Sequence, residues 1–68
     1  MDTLFTNRLK EARAWANMTQ KQVADKLSVV ESCYASWEQG RTEPNVTSIR
    51  KLCLLFGVSA DYLLSLED

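Results

Sequence analysis

Side chains suited to catalysis or metal binding are scarce in this sequence. It contains no histidine, and its two cysteines, Cys33 and Cys53, lie far apart in the chain. Zinc sites cluster cysteine and histidine ligands, and active sites typically offer a histidine, a phosphate-binding glycine loop or paired carboxylates. The sequence therefore predicts no enzyme, no metal site and no cofactor, and it predicts that both cysteines are free thiols.

The balance of charge weakens the case for a nucleic-acid partner without deciding it. Eight Lys and Arg residues stand against nine Asp and Glu residues, which gives a net charge of −1. Binding to a nucleic acid requires positive residues grouped on one face, whatever the net charge of the whole chain. The question therefore depends on where the secondary structure places the charges.

Length and composition predict a single globular domain over residues 1–68. The chain is 46% hydrophobic and 25% charged, with two Gly and one Pro, which is typical of a folded helical protein. No apolar run reaches the roughly 18 residues that cross a bilayer, and no basic segment followed by an apolar one opens the chain. We therefore expect a cytoplasmic protein that does not enter a membrane.

The apolar residues recur at helical spacing, which predicts an all-α chain. Five helices are expected, over residues 4–16, 20–27, 31–39, 46–56 and about 60–66. No stretch alternates between apolar and polar residues, as a half-buried strand would. The expected inward-facing residues of the fourth and fifth helices are Val46, Ile49, Leu52, Cys53, Phe56, Tyr62, Leu63 and Leu66.

Residues at the predicted helix ends support these bounds. Thr19 followed three residues later by Gln22 is a capping box, in which each side chain bonds the other residue's backbone N–H. Asn17 can adopt the left-handed conformation that ends a helix. Gly40 and Gly57 stop the third and fourth helices in the same way. The second and third helices are therefore short and separated by only three residues, as in a helix-turn-helix unit.

Three runs carry a resemblance to a known family: residues 18–27, 37–41 and 57–64, with Pro44 between the last two. In order and spacing they resemble the lambda-repressor-like helix-turn-helix family of Cro and phage repressors. The resemblance implies a five-helix fold with its helix-turn-helix at about residues 19–40. It also implies a sequence-specific transcriptional regulator, a repressor, that places the third helix in the major groove of double-stranded DNA.

The resemblance implies two groups of DNA-contacting residues. Those that would read bases lie on the outer side of the third helix: Glu31, Ser32, Cys33 and Ser36. Serine can bond several base edges and a carboxylate can accept from cytosine N4, so Ser32 and Ser36 are the best specificity candidates. Those that would hold phosphates are Gln20, Lys21, Arg41 and Thr42. Gln20 could also touch an outer base, and ordinary solvated surface residues remain the alternative for both groups.

Arg13 and Glu38 match a pair that forms a partly buried salt bridge between the first and third helices of such repressors. We expect a structural role for both, because burying one charge without its partner is costly. The alternative is that Arg13 binds a phosphate.

The sequence departs from the family pattern at the start of the third helix and on the expected DNA face. Ser28 replaces the usual turn glycine, and Val30 replaces the usual Ser or Thr cap, so we expect this helix to start less sharply. Glu31 and Glu43 add negative charge close to the DNA, which should lower non-specific affinity.

Exposed apolar residues suggest a contact between copies of the chain. Trp15 and Leu54 occupy positions that are polar in the family pattern, and Leu64 and Leu66 follow near the end. We expect these four residues to form a homodimer surface, with the edge of the core as the alternative. A second function also stays open at this point, namely a protein-interaction module such as an antitoxin or anti-regulator that keeps the fold.

Overall fold

The computed structural model describes residues 3–66, all of whose regular structure is helical. The helices are α1 (Thr3–Trp15), α2 (Gln20–Leu27), α3 (Glu31–Gln39), α4 (Val46–Phe56) and α5 (Ala60–Leu63). The prediction of an all-α, five-helix fold is confirmed, and the bounds of α2, α3 and α4 are those predicted. Within residues 3–66, no helix has the length and apolar character required to cross a membrane.

The last helix is shorter than predicted. Helix α5 ends at Leu63, and Ser65 takes a left-handed conformation with φ of 60°. The backbone N–H of Leu66 then bonds the carbonyl of Asp61 at 2.8 Å, which closes the turn after the helix. This turn directs Leu66 into solvent with 70% of its surface exposed, so its predicted role as a core anchor is wrong.

Local sequence explains how the helix-turn-helix segment begins. The Thr19 hydroxyl accepts from the Gln22 backbone N–H at 3.1 Å, and the Gln22 side-chain oxygen accepts from the Thr19 N–H at 2.8 Å. Asn17 has φ of 57° and Gly40 has φ of 77°. The capping box and both left-handed turns are therefore confirmed, and they set where α2 begins and α3 ends.

Helix α3 packs against both α1 and α2. Its two large aromatic residues are buried: Tyr34 is fully buried, and Trp37 is 4% exposed. Their rings meet edge to face, with centroids 5.8 Å apart and an angle of 74° between planes. The core around them consists of Phe5, Leu9, Val23, Ala24, Leu27, Leu52 and Leu63. This packing fixes the inner side of α3 and so fixes the direction of its outer side.

Helix α4 turns one predicted core residue outward. Leu52 is fully buried, whereas Val46, which we expected to face inward, is 71% exposed. The two residues are six positions apart and therefore lie about 120° apart around the helix axis. Because α4 covers the core with the side that carries Leu52, Val46 is left on the surface.

Candidate nucleic-acid interface

The turn between α2 and α3 is held by backbone hydrogen bonds. Ser28 has φ of 61°, in the place where the family pattern has glycine, and the Val29 N–H bonds the Ala24 carbonyl at 3.0 Å. Val30 offers no side-chain cap, yet its carbonyl accepts from the N–H groups of Cys33 and Tyr34 at 3.0 and 3.2 Å. Helix α3 therefore starts at Glu31 with regular helical bonds.

The predicted base-reading residues of the first turn of α3 differ in exposure. Glu31 and Ser32 are exposed. Cys33 is half-buried and packs against the core, so less of its side chain is open to a partner. The reason is helical spacing: Cys33 precedes the buried Trp37 by four residues and shares its side of the helix.

Ser36 faces the loop after α3 and is already hydrogen-bonded. Its hydroxyl donates to the Cys33 carbonyl at 2.7 Å and lies 2.5 Å from the hydroxyl oxygen of Thr42. A serine hydroxyl has one hydrogen, so Thr42 is the donor in the second contact. Ser36 consequently retains only acceptor capacity, and its bond to Thr42 joins the loop residues to the helix.

The basic candidates lie at two places beside α3. Arg41 and Thr42 are exposed in the loop that follows Gly40. Lys21, in the first turn of α2, is 70% exposed and its Nζ lies 3.5 Å from Oδ2 of Asp25. An exposed ion pair of this length is weak, so Lys21 can exchange Asp25 for another anion.

The Gln20 side chain has a partner that the sequence did not suggest. Its amide nitrogen Nε2 donates to Oε1 of Glu38 at 3.0 Å. This bond connects the first residue of α2 to the last turns of α3. The structure therefore places Gln20 within the salt-bridge cluster rather than as an independent surface residue.

Glu38 is the centre of that cluster and is only 2% exposed. Its Oε2 accepts from Arg13 Nε at 2.6 Å and from the Tyr34 hydroxyl at 2.5 Å, and its Oε1 accepts from Arg13 Nη2 at 3.1 Å. Arg13 also donates from Nη1 to the Met18 carbonyl at 3.1 Å. With the Gln20 contact, one carboxylate joins α1, α2 and α3.

The hydrogen bonds of the cluster keep it charged. Burial by itself raises the pKa of Glu38, but hydrogen bonds from Arg13, Tyr34 and Gln20 outweigh burial and hold this pKa below its ordinary value. The hydrogen bond to Glu38 raises the pKa of Arg13. Burial, followed by the Glu38 hydrogen bond and charge, raises the pKa of Tyr34. Arg13 and Glu38 are therefore both ionised, and the neutral side chains of Tyr34 and Gln20 donate hydrogen bonds to the Glu38 carboxylate.

The four residues proposed from sequence as a dimer surface fall in different surroundings. Trp15 is 71% exposed, but its ring stacks on Tyr62 of α5 with centroids 6.5 Å apart. Leu54 and Leu66 are 79% and 70% exposed. Leu64 is half-buried against the core. Trp15 is therefore already part of an internal contact between α1 and α5.

An apolar groove lies between α4 and α5. Its volume is about 350 Å³, and its walls are Val46, Ile49, Arg50, Cys53, Ala60 and Leu64. Val46 and Leu54 are the exposed apolar residues on the adjoining side of α4, eight positions apart and so about two turns apart on one side of the helix. Sequence reasoning identified Leu54 and Leu64 but missed the groove, because it assigned Val46 to the core.

Some contacts of the site had a signal in the sequence and others had none. Tyr34 and Glu38 are four positions apart on one helix, a spacing at which side chains meet. The contact of Gln20 with Glu38 depends on the angle between α2 and α3, which no local pattern reveals. Among residues 3–66, no group of three or more potential metal ligands is brought together.

Comparisons with known proteins agree with this geometry. The model of the helix-turn-helix family matches residues 9–63. BcrR, a transcriptional activator of Enterococcus faecalis, is 36% identical over 64 residues, which are 94% of this chain and 31% of BcrR. The transcriptional regulator ImmR of Bacillus subtilis (strain 168) is 39% identical over 61 residues, which are 90% of this chain and 48% of ImmR. This chain thus spans less than half the length of either relative.

A solved structure shares the whole arrangement of helices. The DNA-binding domain of the P22 C2 repressor, residues 1–76 determined by nuclear magnetic resonance, superposes with a TM-score of 0.83 at 29% sequence identity. The superposition covers 94% of this chain and 86% of that domain. Because the family model spans most of the sequence and the fold is that of a repressor's DNA-binding domain, this chain belongs to the helix-turn-helix family of DNA-binding transcriptional regulators.

Proposed function

We propose that this chain is a cytoplasmic, homodimeric repressor that binds double-stranded DNA with α3 in the major groove. The observation that carries the proposal is the two-sided character of α3. Its inner side is fixed by the buried Tyr34 and Trp37, while Glu31 and Ser32 are exposed on its outer side. A helix presented in this way fits the width of the major groove.

The proposed base contacts come from Glu31, Ser32 and Ser36. Glu31 accepts from cytosine N4, and Ser32 donates or accepts. Ser36 acts as an acceptor only, because its hydrogen is committed to the Cys33 carbonyl. Lys21 and Arg41 hold phosphates on either side of α3 and set its register without reading sequence. The Thr42 hydroxyl hydrogen is committed to Ser36, so Thr42 adds to these phosphate contacts through its backbone N–H.

Dimer formation is proposed on the α4–α5 side of the domain, through Val46, Leu54 and Leu64. The support is the apolar groove, together with the exposure of Val46 and Leu54 beside it. Trp15 is left out of this contact, because its ring stacks on Tyr62 within the same chain. A dimer with twofold symmetry would read two half-sites about one turn of DNA apart.

The alternative of a protein-interaction module receives no support from the relatives, which are named as transcriptional regulators. Binding is the whole of the proposed activity, with no catalytic step and with neither metal nor cofactor.

Selection of bound duplexes from a random pool tests the proposal. We expect recovery of a palindromic sequence, whose affinity exceeds that of a shuffled duplex about 1,000-fold or more at moderate salt. Ser32→Ala should weaken discrimination at one or two base pairs, whereas Asn7→Ala, an exposed polar change on α1, should leave it intact. Equal affinity for the selected and shuffled duplexes would rule out the proposed function.

A further inference from the structure

The orientation of the Gln20 amide group is determined by its partner. Gln20 Nε2 lies 3.0 Å from Oε1 of Glu38. An ionised carboxylate has acceptors only, so the amide nitrogen must face it. The reversed amide would place two oxygens against each other inside a cluster where Glu38 is 2% exposed. The side-chain oxygen of Gln20 is therefore directed away from the cluster.

Gln20 keeps one hydrogen-bond acceptor and one donor for an external partner. The acceptor is Oε1, and the donor is the second Nε2 hydrogen. The residue is half-buried in the first turn of α2. A phosphate group offers acceptors only, so it would use the hydrogen and leave Oε1 to water. The edge of adenine in the major groove offers both, with N6 as donor and N7 as acceptor.

We propose that Gln20 is a specificity-determining residue that reads an adenine at the outer edge of the half-site. Glu38 is its positioning residue, since it holds the amide with the oxygen outward. This assignment rests on the proposed function, because it requires α3 to lie in the major groove. The sequence implied a phosphate-holding role for Gln20 and left a contact to an outer base open, and the hydrogen bond to Glu38 favours the base contact.

The test begins with the duplex selected by the unmodified protein and replaces the outer adenines of the half-site one at a time. Purine lacks the N6 amino group, and 7-deazaadenine lacks the N7 acceptor. At one of these adenine positions, we expect each analogue to weaken binding by about tenfold. Gln20→Ala should bind the adenine site and both analogue sites equally. Lys21→Ala, at the adjacent position, is the control and should weaken all duplexes alike while retaining the preference for adenine.

Glu38→Gln tests the positioning role, because a glutamine can donate as well as accept and so allows the Gln20 amide to reverse. We expect loss of the adenine preference at a temperature where circular dichroism shows the variant folded. If that variant does not fold, the Gln20→Ala comparison decides by itself. Equal weakening of every duplex by Gln20→Ala, or no effect of either analogue, would overturn the assignment alone. Failure to select any sequence would overturn the proposed function and this assignment together.

Discussion

Arg13 and Glu38 make a two-point contact across the domain, with Nε to Oε2 at 2.6 Å and Nη2 to Oε1 at 3.1 Å. The arginine side chain is 24% exposed and the glutamate 2% exposed. This contact joins α1 to the last turn of α3. The contrast in exposure has a consequence for stability, because the buried carboxylate depends on Arg13 for its countercharge.

Arg13→Met should therefore destabilise the fold by about 3 to 5 kcal/mol, since it leaves the Glu38 charge buried without its partner. Unfolding in urea, followed by circular dichroism, measures the change in the free energy of unfolding. Lys21→Met, which removes an exposed ion pair with Asp25, is the control and should change it by about 0.5 kcal/mol or less. Unchanged stability of Arg13→Met together with lost DNA binding would show that Arg13 holds a phosphate.

The same pair makes stability depend on pH in the acid range. The folded-state pKa of Glu38 is held below its ordinary value of 4.5. A lowered pKa means that the unfolded chain binds the proton first as pH falls. Glu38 therefore contributes its full stabilisation of the fold above its pKa in the unfolded chain. This stabilisation is lost as pH falls through its pKa in the folded protein.

Urea unfolding between pH 7 and pH 3 checks this dependence. Glu38→Gln should be less stable than the unmodified chain at pH 7, and the difference should shrink toward pH 3. A difference that stays constant over this range would show that folding does not lower the pKa of Glu38.

Lys21 and Arg41 should each contribute one phosphate contact to DNA binding. Replacing either with Ala should weaken binding to all sequences alike and lower the slope of log affinity against log salt by about one unit. Fluorescence anisotropy at four or five salt concentrations measures the slope. Lys10→Ala, a change of equal charge on α1, should leave it unaltered. A loss of affinity confined to one base position would mark the residue as a base reader instead.

Leu54 and Trp15 should respond differently to polar substitution. Leu54→Lys places a charge beside the α4–α5 groove and should shift sedimentation toward monomer without loss of stability. Trp15→Gln removes the ring that stacks on Tyr62 and should lower stability by about 0.5 to 1.5 kcal/mol with the oligomeric state unchanged. A monomer from Trp15→Gln alone, with Leu54→Lys still dimeric, would move the dimer contact to α1.

Much of the fold follows from patterns that span only a few residues. The capping box of Thr19 and Gln22 joins residues three apart, so its bonds form wherever α2 forms. Glycine at position 40 and asparagine at position 17 end their helices through their own backbone preferences. Such features were predictable, because their partners are fixed by local chain geometry.

The errors fall where packing between helices decides. Val46 lies on a helix whose bounds were predicted correctly, yet the side of that helix that meets the core was misjudged. A four-residue α5 could not be distinguished from a longer one, because apolar residues continue to Leu66 after the helix has ended.

Spacing and residue preferences within one or two turns were enough to predict five helices, the caps of α2, α4 and α5, and the helix-turn-helix family. The shared use of Glu38 by Arg13, Tyr34 and Gln20, and with it the direction of the Gln20 amide, comes from the packing of α1, α2 and α3. Those contacts require three helices to meet at set angles. The Glu38 carboxylate then orients the donors around it, and residue spacing along the chain does not predict that arrangement.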